Sequence, residues 1–220
     1  MQITAAAPSD LEQAASCLAT AFAEDPITGF LLRTGPSYRE RVTRFFSLLM
    51  RARIALNMPV LVARDAAAIH GSVMGYTTAR PTWPRAVADD WSDFEKAIPG
   101  FTDRTAVYDE IAEKCRPSAP HYYLGVIGID PTMHGLGIGR QILESFCALS
   151  ASDQLSGGVF LETANPSNVL FYERAGFEVT GQGTLGNSNL WCMFLRHGPR
   201  HDAQPPRSSG PALTAADRGH

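Results

Sequence analysis

Apolar residues recur at helical spacing near the start of the chain: Leu11, Ala14, Leu18 and Ala21 lie three or four apart, and Ser9-Asp10 can cap a helix running through Phe22. MQITAAA before it reads as a short strand. A second helix is predicted from about Ser37, with Tyr38, Val42, Phe45, Phe46 and Leu49 on one face and Arg39, Arg41 and Arg44 among the remaining positions. The pattern then changes to Val-, Leu- and Thr-rich runs, PVLVARD and HGSVMGYTT, which read as two strands paired antiparallel. Between Arg80 and Pro120, prolines in PTWP and RPSAP bracket two predicted helices, Trp91 to about Ile98 and Asp103 to Cys115. Residues 80–120 therefore read as a helical insertion between strands.

Further on, YYLGVIGID reads as a strand, RQILESFCALS as a helix and GGVFLET as another strand. NPSNVLFYERAG is a short helix, capped by Asn168 and stopped at Gly176, and FEVTGQG and LWCMFLR close the sheet. From 198 onward the chain is rich in Pro, Ser, Gly and charge and cannot build a packed core, so 198–220 is expected to be a disordered tail behind one domain, 1–197.

Length and charge narrow the chemistry. With 220 residues, 45% of them hydrophobic, the chain can bury one full core, and its net charge of −3 leaves no basic stripe for a nucleic acid backbone. A cationic or amine-bearing ligand suits it better. Cys17, Cys115, Cys147 and Cys192 stand far apart, without CxxC or Cys/His ligand spacing, so they are expected to be reduced and no metal is expected. The amino end lacks a cationic region followed by an apolar run, and no stretch approaches a membrane span, which predicts a cytoplasmic protein with no membrane partner. A monomer or homodimer is expected.

The most informative junction is PTMHGLGIG, between a strand ending at Asp130 and the RQILESFCALS helix. Gly135, Gly137 and Gly139 allow positive φ and remove Cβ atoms, while a helix start offers unpaired N–H groups and a positive dipole end, as an anionic cofactor requires. A simple helix cap uses the same residues. A Walker loop needs Gly-Lys-Ser/Thr where Arg140-Gln141 stands, and a dinucleotide fingerprint needs a third glycine where Arg140 stands.

Taken in order, HYYLGVIGIDP, HGLGIG, FLETANPSNVLFYERAGF and LWCM resemble the Gcn5-related N-acetyltransferases (GNAT), near the branch that includes puromycin N-acetyltransferase. The resemblance spans roughly Ile3 to Arg196 and is sharpest between His121 and Phe194. It implies an α/β (α+β) fold with a single mixed, mostly antiparallel sheet flanked by helices. It also implies acetyl-coenzyme A as acetyl donor and a small-molecule primary amine as acceptor. Protein N-terminal or lysine acetylation, or a non-catalytic acyl-coenzyme A sensor, are the alternatives.

By the same resemblance, Ile127, Gly128 and Ile129 supply strand contacts to the pantetheine arm. His134, Gly135, Leu136, Gly137, Ile138, Gly139 and Arg140 cradle the pyrophosphate, with His134 standing where the family usually has Gln or Arg. Tyr172 matches the proton donor to the leaving thiolate, although Phe171, Tyr172 and Phe177 also suit helix-to-sheet packing. Asn165 and Asn168 match positions that approach the coenzyme, and capping or turn formation explains them equally. Glu162, at the edge of FLET, is the first candidate for the base that takes the amine proton; His121 and water are its rivals, and Tyr123, on the side of His121, is a candidate for the acceptor pocket. GxSxG is absent and no cysteine has an evident partner base, so direct attack in a ternary complex is favoured over an acyl-enzyme.

Overall fold

Alternating Val, Ile and Leu positions build the strands of a seven-stranded sheet in a computed structural model that describes residues 1–198. In chain order the strands are β1 (Gln2–Ala5), β2 (Val60–Arg64), β3 (Ile69–Tyr76), β4 (Tyr122–Ile129), β5 (Gly158–Thr163), β6 (Glu178–Leu185) and β7 (Ser188–Arg196). Their order across the sheet is β1-β2-β3-β4-β5-β7-β6, and all neighbours are antiparallel except β4 and β5. The expected mixed, mostly antiparallel sheet is present. Seven helices accompany it: α1 (Leu11–Ala21), α2 (Pro26–Leu32), α3 (Tyr38–Ala55), α4 (Arg85–Lys96), α5 (Phe101–Cys115), α6 (Ile138–Ser152) and α7 (Pro166–Arg174).

One face of the sheet buries Leu18, Phe46, Met50, Val62, Met74 and Val126 beneath α1 and α3. The other buries Val73, Leu124, Ile142, Phe146, Leu161 and Met193 beneath α6. Leu124 and Val126 lie on opposite faces because β4 carries a bulge at Gly125: Gly75 pairs with Leu124 and Met74 with Val126, leaving Gly125 as the extra residue. On the other side, β4 pairs with β5 only at Tyr122–Val159 and Tyr123–Phe160. Beyond those two pairs the strands part, and the β5-facing edge of β4 from Gly125 to Ile129 pairs with no strand.

Three local expectations change. Helix α2 was not anticipated; it is short, and Asp25, whose carboxylate accepts from Thr28 N at 2.8 Å, caps it ahead of Pro26 at its first position. Helix α4 begins at Arg85 rather than Trp91, because Pro84 serves as its N-cap and does not exclude the first turn. Asn165, not Asn168, caps α7: its carboxamide oxygen accepts from Ser167 N at 2.9 Å, Pro166 occupies the first helical position, and Asn168 lies inside the helix. The expected tail falls, from 199 on, outside the described residues. All four cysteines are free; Cys17 and Cys192 are buried, Cys115 and Cys147 partly so.

Candidate active site

The parting of β4 and β5 opens a cleft of about 730 Å³ walled by the end of β4, the glycine turn, the start of α6, the face of α7 and the loop between α1 and α2. Ile127, Gly128 and Ile129 line it from the strand, and His134, Gly135, Gly137, Ile138, Gly139 and Arg140 from the turn. Asn165, Asn168 and Tyr172 line it from α7. Leu136 is exposed and is not among the lining residues.

The turn has the geometry an anion needs. Gly135 and Gly137 have φ of 80° and 76°, in the left-handed region where any side chain would be strained. A Cβ at Gly135 would meet no atom within 4 Å, so the local backbone is open on that side. Gly137 is the N-cap of α6, and the first helical amide bond recorded is Gln141 N to Gly137 O at 3.1 Å. Ile138, Gly139 and Arg140 therefore begin the helix with N–H groups that have no intrahelical acceptor. A pyrophosphate fits this cradle.

Side chains of the turn do less than its backbone. His134 turns back and donates Nε2–H to Ile129 O at 3.2 Å, engaging the last carbonyl of β4. Arg140 is exposed and tied to Glu144 at 2.7 Å, four residues along the same helix. Gly128 serves a different purpose: a Cβ there would sit 2.8 Å from Phe22 and 2.9 Å from Leu18, so glycine lets α1 press against β4.

Tyr172 is buried between Phe171 and Phe177, with ring centroids 5.2 and 5.5 Å away. Packing and cleft lining are both true of it. Burial first, then the charge of Asp25 across the cleft, holds its phenol well above the usual range, so it stays protonated. Burial likewise raises Asp25, which lines the same cleft.

Glu162 stands on β5 beyond the last β4–β5 pair, at the level of Gly125 if the parallel register is extended. Its side chain lies on the face away from α6. There Tyr108 of α5 donates to Glu162 Oε2 at 3.0 Å, and the Tyr108 and Tyr123 hydroxyls are 3.2 Å apart. In the contact between the two phenols either hydroxyl can donate. Burial drives the Glu162 carboxyl up to about 7 despite the two phenols, which pull it down. The result is a carboxylate that titrates near neutrality. Tyr108 carries no local signal in the sequence.

His121 is separated from this group. It precedes β4 at the end opposite the cleft, buried beside Phe160 and Phe194, with Nδ1 donating to Ala119 O at 2.7 Å and Nε2 without a partner among the described residues. Burial depresses its pKa, so it is held neutral. Tyr123 does share its face, as expected, and both rings contact Phe160.

The acceptor side is roofed. The Phe30 ring of α2 lies 2.8 Å from where a Cβ on Gly186, in the β6–β7 turn, would sit. Arg104 of α5 donates to Leu31 O at 3.0 and 2.7 Å, tying the insertion to α2. Ala164, Leu185 and Leu190 fill the space beneath, against Ile27, Phe30, Tyr108 and Ile111. Among the described residues no group of His, Cys, Asp and Glu is placed to hold a metal ion, and no helix is long and apolar enough to cross a membrane.

Comparison with known proteins agrees with this architecture. A structure titled histone acetyltransferase HPA2 and related acetyltransferase, from Corynebacterium glutamicum, superposes with a TM-score of 0.67 at 21% identity, covering 91% of this chain and 98% of that one. A mosquito arylalkylamine N-acetyltransferase-like protein gives 0.58 at 18%, covering 88% and 98%. The ribosomal-protein-S18-alanine N-acetyltransferase of Escherichia coli gives 0.53 at 13%, covering 92% and 97%. At these identities the likeness carries the fold. The family model described as an acetyltransferase (GNAT) domain matches residues 95–179, a span holding Tyr108, all of β4, the glycine turn, Glu162 and Tyr172, and this part of the chain is similar to the GNAT acetyltransferases.

Proposed function

We propose that the chain transfers the acetyl group of acetyl-coenzyme A to a primary amine of a small molecule, by direct attack within a ternary complex. The observation that carries this reading is Glu162, a carboxyl group titrating near 7 and held by a tyrosine from the very helix that roofs the acceptor side. A general base is most effective when its pKa lies near the working pH. The contacts of α5 with α2 cover that side of the sheet, which favours a small amine over a protein terminus or lysine side chain.

The thioester supplies an activated acyl group. The protein's residues then have three tasks. Glu162 removes a proton from the acceptor ammonium, directly or through water, leaving a lone pair to attack the carbonyl carbon. A backbone N–H on the unpaired edge of β4, near Val126 or Ile127, faces the oxygen that gains charge. Tyr172, kept protonated by burial, gives its proton to the departing sulfur as the C–S bond breaks. One amine proton ends on Glu162, the nitrogen's second proton leaves to solvent as the intermediate collapses to the amide, and the phenol proton ends on the thiol, so Glu162 and Tyr172 exchange protons with solvent before the next turnover. The turn cradle and β4 hold the cofactor in line, and orientation carries a large share of the rate.

Free thiol release tests this reading. Protein, acetyl-coenzyme A and a panel of small amines are expected to liberate thiol, with peptides of free N-terminus or lysine far slower. Faster turnover of peptides would transfer the assignment to protein acetylation. Cofactor binding without thiol release from any acceptor would make the chain a sensor.

A further inference from the structure

Arg53 of α3 is the buried charge that the transfer chemistry leaves unused. It is 4% exposed, and one hydrogen bond, Nη1 to Leu49 O at 3.0 Å, serves its guanidinium, while Nε is buried without a partner among the described residues. Arg51, Arg64, Arg85, Arg116 and Arg140 each meet a carboxylate; Arg53 meets none among the described residues. Its charge lies 4.6 Å from the centroid of the Tyr76 ring, and Arg80 approaches the same ring at 5.6 Å, also without a carboxylate. Trp83 Nε1 donates to the Tyr76 hydroxyl at 2.7 Å and fixes that ring. A ring quadrupole and one carbonyl only partly replace the water a buried guanidinium has lost.

The position of Arg53 relates it to the acceptor. At the Gly125 bulge, a Cβ would lie 3.0 Å from the Tyr123 ring and 3.3 Å from Arg53 Nη2, so glycine there leaves the guanidinium facing the bulge where β4 begins to separate from β5. The hydroxyl of Tyr123 reaches Tyr108 and, through it, Glu162. A cation without a counter-ion and a base for an ammonium group thus lie on either side of one tyrosine.

We propose that the acceptor carries a carboxylate as well as its amine, and that Arg53, with Arg80 at the more exposed end of the Tyr76 ring, binds that carboxylate while Glu162 receives the amine. The proposal rests on the N-acetyltransferase reading. A guanidinium offers a carboxylate two parallel N–H donors, and in a dry site such a pair is strong and directional. The acceptor class is then an amino acid rather than a plain amine.

Two matched series test this: ω-amino acids of increasing chain length, and alkylamines of the same lengths, each assayed by thiol release. At the length that spans Glu162 and Arg53, the amino acid is expected to exceed its alkylamine in kcat/KM by about tenfold or more. That ratio is expected to fall to about one in Arg53→Met and to shrink in Arg80→Met, which keeps the test alive should one variant fold poorly. Equal kcat/KM for both series in the wild-type protein overturns the carboxylate site and leaves the acetyltransferase reading intact. If no amine releases thiol, the acetyltransferase reading fails instead. The site is then read by thermal shift: stabilisation by the amino acid but not the alkylamine, lost in Arg53→Met, sustains it, and the same shift from both ligands overturns it.

Discussion

The glycine-turn end of the cleft comes from one uninterrupted run, the end of β4 through the first turn of α6, where each glycine acts on its own backbone. Across the strands, Glu162 on β5 is held by Tyr108 from α5 and Tyr123 from β4, with Arg53 of α3 on the far side of Tyr123. The first region has a geometry that neighbouring residues impose on one another; the second sets a pKa through groups that only folding brings together. A change in the turn should accordingly alter affinity for the cofactor, and a change in the tyrosine cluster should alter the pH at which the protein works.

The sharpest way to break that contrast is Tyr172, which lies on α7 and borders the cleft. Tyr172→Phe keeps the ring against Phe171 and Phe177 and removes the proton, so kcat is expected to fall by about 10²-fold or more with cofactor Kd little changed. Wild-type turnover in that variant would leave packing as its whole role.

Glu162→Gln comes next. Size and hydrogen-bonding reach survive while basicity is lost, and kcat is expected to drop by about 10²-fold for a strongly basic aliphatic amine but far less for an aromatic amine that enters unprotonated. Equal, small losses for both acceptors would hand the proton to water. His121 is a poor substitute, being buried and at the other end of β4.

In the turn, Gly137→Val places a β-branched side chain at a φ of 76°, which such residues do not tolerate. Acetyl-coenzyme A Kd, measured calorimetrically on a variant whose far-UV spectrum is unchanged, is expected to rise by about tenfold. Intact affinity would remove the cradle from the binding account.

The smallest effect should also be the most specific to the second region. In the proposed mechanism Glu162 works as a carboxylate on a bound ammonium, so activity on a strongly basic amine should rise as pH passes about 7, where the group loses its proton. Tyr108 donates to the ionised form and holds the pKa below where burial alone would put it. Tyr108→Phe therefore raises that pKa, and the ascending limb of kcat/KM is expected to move to higher pH by about half a unit to one unit. A shift to lower pH, or none, would show that the phenol does not tune the base.

Several features were legible before any coordinates because their causes are local. The glycines of HGLGIG, the helix beginning near Ser37, and Tyr172 on the short helix after NPSN all depend on residues within a turn or two of themselves. Local signals also misled where two residues competed for one task. Asn165 and Asn168 both suit a cap, and Pro166 decided for Asn165 by taking the first helical position. The PTWP run looked like a stop, yet Pro84 begins α4.

By itself the amino-acid sequence determined the sheet-and-helix alternation, the glycine turn and the place of Tyr172 on a short helix, since side-chain periodicity and glycine φ angles are properties of short stretches. Tertiary structure decided what surrounds Glu162 and Arg53. A carboxyl group reaches a pKa near 7 only when distant segments exclude water from it, and an arginine lacks a counter-ion only when the surrounding fold provides none. Desolvation and pairing depend on distances through space, and Tyr108 and Glu162, 54 residues apart in the chain and 3.0 Å apart in the fold, are neighbours only there.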